Sequence, residues 1–239
     1  MAGEIIYGAN AVREALQQPE RINRILVAKE SRVPACKALI DTAKQHKVLV
    51  DFVPQAKLNT LTGTREHQGI MAQISPLEYA ELDALIAGCG PEATILVLDR
   101  VQHPKNLGMI IRSAVGAGVA GIVLASRGGA LLDESVVRAS AGTVLRVPIA
   151  ACPNLSQALK KLRGADFWIY GLDAGGKCNA FTLSWPQRVV LVAGNESEGM
   201  RPGVQKNCDE IVSIPLANEL DSLNVAVATS IVLFQIRRE

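Results

Sequence analysis

The sequence predicts an α/β fold in which apolar strands alternate with helices. Residues 94–98, 121–125 and 189–193 are unbroken apolar runs of strand length, as expected of strands buried in a sheet. Stretches with helical spacing of apolar residues, such as 107–117 and 157–163, stand between runs of this kind, and that alternation implies parallel pairing. With 239 residues, 49% of them hydrophobic, the chain can bury a substantial core in one large domain or two small ones.

Bulk properties exclude several classes. No run of about eighteen apolar residues would span a bilayer. The opening Met1-Ala2-Gly3-Glu4 lacks the basic-then-apolar layout of a secretion signal. A cytoplasmic protein with no membrane partner is therefore expected. Five cysteines (Cys36, Cys89, Cys152, Cys178, Cys208) form no C-x-x-C pair, so reduced thiols and no metal are the expectation. The formal charge is only +2, yet residues 1–77 carry ten Lys or Arg against seven Asp or Glu, an excess that suits phosphate contact.

Taken in order, Tyr7-Gly8-Ala9-Asn10 leads into an amphipathic helix over residues 11–17, followed by a strand over 24–28, a helix over 33–46 and a strand over 48–52. A last strand over 70–74 follows Thr64-Arg65-Glu66-His67-Gln68-Gly69, and this alternation reads as a small α/β domain. His67 is placed to stack on a base or donate to phosphate, or simply to open the strand as a polar turn residue. Pro76, Gly88, Gly90 and Pro91 punctuate residues 75–93 around a short helical piece. The expected organisation is a first domain over 1–77, a linker over 78–93 and a second domain over 94–239.

The second domain opens with the strand 94–98, closed by Asp99, and turns through His103-Pro104-Lys105-Asn106 into the helix 107–117, with Asn106 placed to cap it. Capping leaves Arg112 unexplained, since an arginine within so apolar a helix must reach solvent or an anion. Gly116-Ala117-Gly118-Val119-Ala120-Gly121 spells the dinucleotide fingerprint in inverted order, because the helix precedes it and the strand follows. Those glycines are expected to end a helix. A loop over 126–130, a helix over 134–141 carrying Arg138, a strand reached through 144–150, the helix 157–163, a strand over 167–171 and a loop over 172–185 complete the alternation.

The strand 189–193 then breaks into Gly194-Asn195-Glu196-Ser197-Glu198-Gly199. A further apolar segment, Ile211-Val212-Ser213-Ile214-Pro215, runs through a polar loop to Ser222-Leu223-Asn224-Val225, where an apolar helix over 225–234 begins. Strand ends of this kind are where open α/β sheets bind ligands. Ser222 reads as the cap of that last helix, with Asn224 in its first turn.

Asn106 to Arg112, Gly194-Asn195-Glu196, Ile214-Pro215 and Ser222-Leu223-Asn224-Val225 resemble the three motifs of the SpoU/TrmH family of RNA 2′-O-ribose methyltransferases. The likeness extends through the N-terminal segment. His103 stands where relatives carry an aspartate, Asn195 where a small residue is common and Ala226 where a serine is frequent. The resemblance implies a C-terminal trefoil-knotted SPOUT-type domain with a parallel sheet, preceded by a small L30e-like α/β substrate-binding domain. It implies S-adenosylmethionine as methyl donor, lined by Gly194, Ile214 and Leu223, and no metal.

On the same likeness Arg112 activates the ribose hydroxyl, while Asn106, Glu196, Ser222 and Asn224 arrange it and the target nucleotide. His67 and Gln68, from the His-Gln-Gly signature, are implied to bind RNA. An arginine keeps its proton under nearly all protein conditions, so phosphate pairing and stabilisation of alkoxide charge suit Arg112 better than service as a base. The implied substrate is a guanosine of 23S rRNA, with tRNA or another rRNA site as the near alternative, and the implied assembly is a homodimer whose site draws on both subunits. A catalytically inactive RNA-binding assembly factor and a nucleotide-dependent oxidoreductase are the competing classes.

Overall fold

Apolar strands can pair only with strands that offer a matching buried face, and in the computed structural model the strands sort into two separate sheets. The structure describes residues 4–29, 34–218 and 220–238. In chain order the elements are β1 (Glu4–Tyr7), α1 (Ala9–Ala15), β2 (Ile22–Ala28), α2 (Pro34–Gln45), β3 (Val50–Val53), α3 (Gln55–Thr62), β4 (Ile70–Ile74) and α4 (Leu82–Ala87). There follow β5 (Ala93–Leu98), α5 (Pro104–Ala117), β6 (Gly121–Ala125), α6 (Glu134–Ala139), β7 (Ile149–Cys152), α7 (Leu155–Arg163) and β8 (Trp168–Leu172). The chain ends with β9 (Cys178–Asn179), β10 (Arg188–Ala193), α8 (Pro202–Gln205), β11 (Glu210–Ser213) and α9 (Val225–Arg238). Val33, expected to open the second helix, and Met1, Ala2 and Gly3 lie outside the described residues.

One compact unit comprises residues 1–78 and 132–146. Its sheet runs β1-β4-β2-β3, with β4 antiparallel to both neighbours and β2 parallel to β3. Leu26, Ala28, Val53, Leu58 and Met71 form a core cluster. Residues 132–146 complete this unit: α6 sets Arg138 on the Tyr7 hydroxyl, and Arg146 pairs with Glu14 at 3.0 Å.

The second unit comprises residues 79–131 and 147–239. Its seven strands run β7-β6-β5-β10-β8-β11-β9, and every pairing is parallel. Residues expected to form a linker carry α4 here, whose Leu85 is buried in the core cluster with Val97, Val123 and Ala150. In α7, Leu155, Ala158, Leu159 and Leu162 recur at helical spacing and are buried against the sheet, at about 2 kcal/mol per leucine. The inverted fingerprint behaves as its order implies: Gly118 ends α5 at φ 76° and β6 begins at Gly121.

The late strands depart from simple winding. β11 lies between β8 and β9, so the chain joining β8 to β10 reaches past β11 before it returns. A strand added inside a loop of earlier chain is what a trefoil knot requires, and most folds avoid it. All the parallel strands therefore end at one edge, where β5, β8, β10 and β11 deliver their loops side by side.

Candidate active site

At that edge the residues after β8, β10 and β11 surround a cleft of about 240 Å³. Ala193 and Gly194 line it, together with the apolar residues Ile214, Leu223, Val225 and Ala228. Gly194 is required by contact: a β-carbon there would lie 2.3 Å from the carbonyl carbon of Gly199. Ser222 also lines the cleft.

Glu196 leaves this turn toward the start of α5. Its carboxylate accepts from the backbone N–H of His103 at 3.0 Å and of Gln102 at 3.1 Å, and from the Asn106 amide at 3.1 Å. Burial pushes this carboxyl up. The donors of His103, Asn106 and Gln102 outweigh that and hold it below the ordinary carboxylate value. An acid at the positive end of a helix gains a further favourable interaction.

A carboxylate can only accept, so Asn106 must present its NH2 to Glu196. Its carbonyl oxygen is left for Asn224, whose amide donates to it at 3.2 Å. The Asn224 oxygen in turn accepts from the N–H groups of Ala226 at 2.9 Å and Val227 at 3.3 Å, which makes Asn224 the cap of α9. The chain Glu196–Asn106–Asn224 is thereby oriented at every link. It also revises two capping expectations. Asn106 lies in the first turn of α5, which begins at Pro104, and the cap of α9 is Asn224, two residues beyond Ser222.

Sequence reasoning passed over the residues that hold this arrangement. Buried Asn195 accepts from the N–H groups of Ser197 at 2.9 Å and Glu198 at 3.0 Å, and donates to the Arg100 carbonyl at 2.9 Å. Arg100 adopts φ 64°, an uncommon conformation for a side-chain-bearing residue, and the chain turns there toward Gln102 and His103. Asp99, fully buried, accepts from the Arg201 backbone at 2.8 Å and its guanidinium at 2.7 and 2.9 Å, fastening the end of β5 to the segment after the glycine turn. The signal available beforehand was thin: an asparagine in a turn and an aspartate at a strand end.

Arg112 is not among the residues that line the cleft. It lies exposed on α5, and no hydrogen bond or ion pair engages it among the described residues. Met109, one turn earlier, and Val227 and Phe234 on the adjoining α9 are also exposed.

In the first unit, the two residues expected to bind RNA differ in exposure: His67 is buried and Gln68 is exposed. His67 is 1% exposed. Its Nδ1 accepts from the Gly69 N–H at 3.0 Å, which leaves Nε2 protonated to donate to Asn59 at 2.7 Å. Burial lowers its pKa, so the ring is held neutral. The Gln68 side-chain oxygen Oε1 accepts from the Ala9 N–H at 2.9 Å, at the start of α1. Both ring nitrogens are therefore engaged within the unit.

A parallel α/β sheet with an interrupted winding, and a cleft at its strand ends built from backbone and amides, defines a SPOUT-type fold. Residues 93–234 match the SpoU rRNA Methylase family, and residues 5–80 match the RNA 2′-O ribose methyltransferase substrate binding family. The chain belongs to the SpoU rRNA methylase family, in the SpoU/TrmH group. It is 37% identical to an uncharacterized tRNA/rRNA methyltransferase of Synechocystis over 99% of its own length, and spans 62% of that relative. It is 32% identical to a Staphylococcus aureus protein named as a TrmH family tRNA/rRNA methyltransferase, over 100% of this chain and 97% of the relative. Among solved structures, an rRNA methyltransferase from Sinorhizobium meliloti superposes with a TM-score of 0.80 at 28% identity, covering 99% of this chain and 87% of that one. No helix among the described residues is long and apolar enough to cross a membrane.

Proposed function

We propose that the protein transfers the methyl group of S-adenosylmethionine to the ribose 2′-hydroxyl of a guanosine in 23S rRNA. The observation that carries the reading is the oriented chain Glu196–Asn106–Asn224 beside the cleft lined by Gly194, Ile214 and Leu223. The Sinorhizobium meliloti neighbour has also been solved with AdoMet bound. The cleft suits such a donor: Gly194 carries no side chain, Ile214, Leu223, Val225 and Ala228 offer apolar surface to a nucleoside, and among the described residues no lysine or arginine lines it to repel a sulfonium. When bound, the donor supplies an electrophilic methyl carbon, whose bond to sulfur breaks as the bond to ribose oxygen forms and the hydroxyl proton passes to water.

The chain's own residues then have distinct tasks. Glu196 keeps its charge because three donors hold it, so it orients Asn106 and is a poor proton acceptor. Asn106 and Asn224 fix where polar groups point beside Ser222. A hydroxyl aligned with the electrophile gains effective molarity from such positioning. Arg112 pairs with the substrate phosphate and stabilises developing alkoxide charge.

In one copy Arg112 stands apart from the cleft, on a face that also exposes Met109, Val227 and Phe234. Two copies pairing through α5 and α9 would cover that face and bring the arginine to the partner's cleft. Mixing Arg112→Ala with Asn106→Ala tests this, because each mixed dimer regains one complete site of two and an equimolar mixture recovers about a quarter of wild-type activity. No recovery on mixing counts against a shared site.

Ribosomal RNA is favoured over tRNA by coverage. Two solved tRNA-modifying neighbours cover 62% and 66% of this chain, whereas the rRNA methyltransferase covers 99% and so shares the first unit. Incubation with methyl-labelled donor and separate 23S, 16S and transfer RNA decides the substrate. Label in 23S rRNA, recovered as 2′-O-methylguanosine, is expected; label confined to tRNA removes the finer assignment.

A further inference from the structure

We propose that Asp173 grips the vicinal ribose hydroxyls of the donor's adenosine, an inference that rests on the donor reading above. Asp173 follows β8 directly and lines the cleft. Because β8 pairs with β10 on the side away from β5, Asp173 stands across the cleft from the α5 start, where Glu196 and Asn106 meet. The reacting methyl belongs at that network, so the nucleoside must extend toward β8.

Among the described residues, Asp173 and Glu196 are the acids that line the cleft, and no lysine, arginine or histidine does. Both oxygens of Glu196 are engaged. Asp173 is held differently. Its backbone N–H donates to Val212 at 3.0 Å and its Oδ1 accepts from the Gly175 N–H at 2.9 Å. Oδ2 stands over Gly199, 3.6 Å from where a β-carbon would sit, and Asp173 forms no ion pair among the described residues. The carboxylate is thus pre-oriented with acceptor capacity to spare.

Of the donor's groups, the amino-acid tail is a zwitterion, whose carboxylate offsets the pull of its ammonium on a fixed aspartate. The diol carries two adjacent neutral O–H donors that match a carboxylate. An acid at a strand end takes ribose hydroxyls in the same way in dinucleotide-binding sheets.

Calorimetry with the full chain tests the assignment, using S-adenosylhomocysteine, which has both tail and diol, and 5′-methylthioadenosine, which lacks the tail. Asp173→Asn keeps an acceptor for Gly175 and loses the charge that strengthens the bonds to the hydroxyls. Both ligands should weaken by the same factor, about tenfold or more. A ligand-side counterpart leaves the protein intact: the 3′-deoxy analogue of S-adenosylhomocysteine should bind wild type at least about tenfold more weakly than its parent. Unchanged affinity of both ligands for the variant, loss confined to S-adenosylhomocysteine, or wild type indifferent to the missing hydroxyl would each overturn the inference while the donor reading stands. Wild type that binds neither ligand overturns the donor reading and this inference together.

Discussion

His67-Gln68-Gly69 and Gly194-Asn195-Glu196 are alike as text: each sets a glycine and polar side chains beside a buried strand. Their hydrogen bonds separate them. In the first turn every polar atom of the His67 ring closes on its own unit, to Gly69 and Asn59, and the ring is buried. In the second, Glu196 passes its order outward through Asn106 to Asn224, at the rim of a cleft. Where a turn's donors and acceptors end up, more than its composition, tells a fastening from a site.

Substitutions can break that contrast. The largest expected effect is at Arg112: Arg112→Ala should lower the methyl-transfer rate by about 10²- to 10³-fold, in the range seen when a group that stabilises transition-state charge is removed. Donor affinity by calorimetry should hold, because the role proposed for the residue is toward the substrate phosphate and the developing alkoxide and not toward the donor. Next is Arg201→Leu, which strips the guanidinium from fully buried Asp99 and should cost about 3 kcal/mol in urea unfolding. An unchanged midpoint would mean that water or Arg100 replaces it.

His67→Ala should destabilise the chain by about 2 kcal/mol, through a cavity and two unpaired polar groups. The KM for RNA should be unaltered at temperatures where the variant is folded. A raised KM with unchanged stability would return His67 to the RNA interface.

The smallest effects are in pH dependence, and the two turns share a sign by different routes. His67 has a lowered folded pKa and stays neutral in the fold, so its contribution is present above the unfolded value of 6.5 and declines as pH falls below it. Glu196 also has a lowered folded pKa; its contribution is present above the unfolded value of 4.5 and is lost as pH falls through the folded one. Urea midpoints across pH should therefore fall in two windows, the upper absent in His67→Ala and the lower absent in Glu196→Gln.

Strands with continuous apolar runs were legible: β4 and β6 begin and end where the sequence places them, and β10 starts one residue earlier. Shared edges were not. β1 is four residues containing a glutamate and exists through pairing with β4, and β9 is two residues held by β11. In α3 a single residue, Leu58, is buried, too little for periodicity to reveal. Within the site, residue types were legible and partnerships were not. Asn106 reads as a cap until Glu196, ninety residues away, and Asn224, 118 away, come into contact. Asn195 and Asp99 act through the main chain of distant segments, which no local pattern records.

The oriented amides are held to act on the reacting hydroxyl, and single-turnover kinetics of Asn106→Ala on rRNA, with donor affinity measured on the same protein, test this most directly. A rate lower by about 10²-fold with donor affinity within about twofold of wild type is the predicted result. An undiminished rate, or a methyl group recovered on a base, would contradict the account.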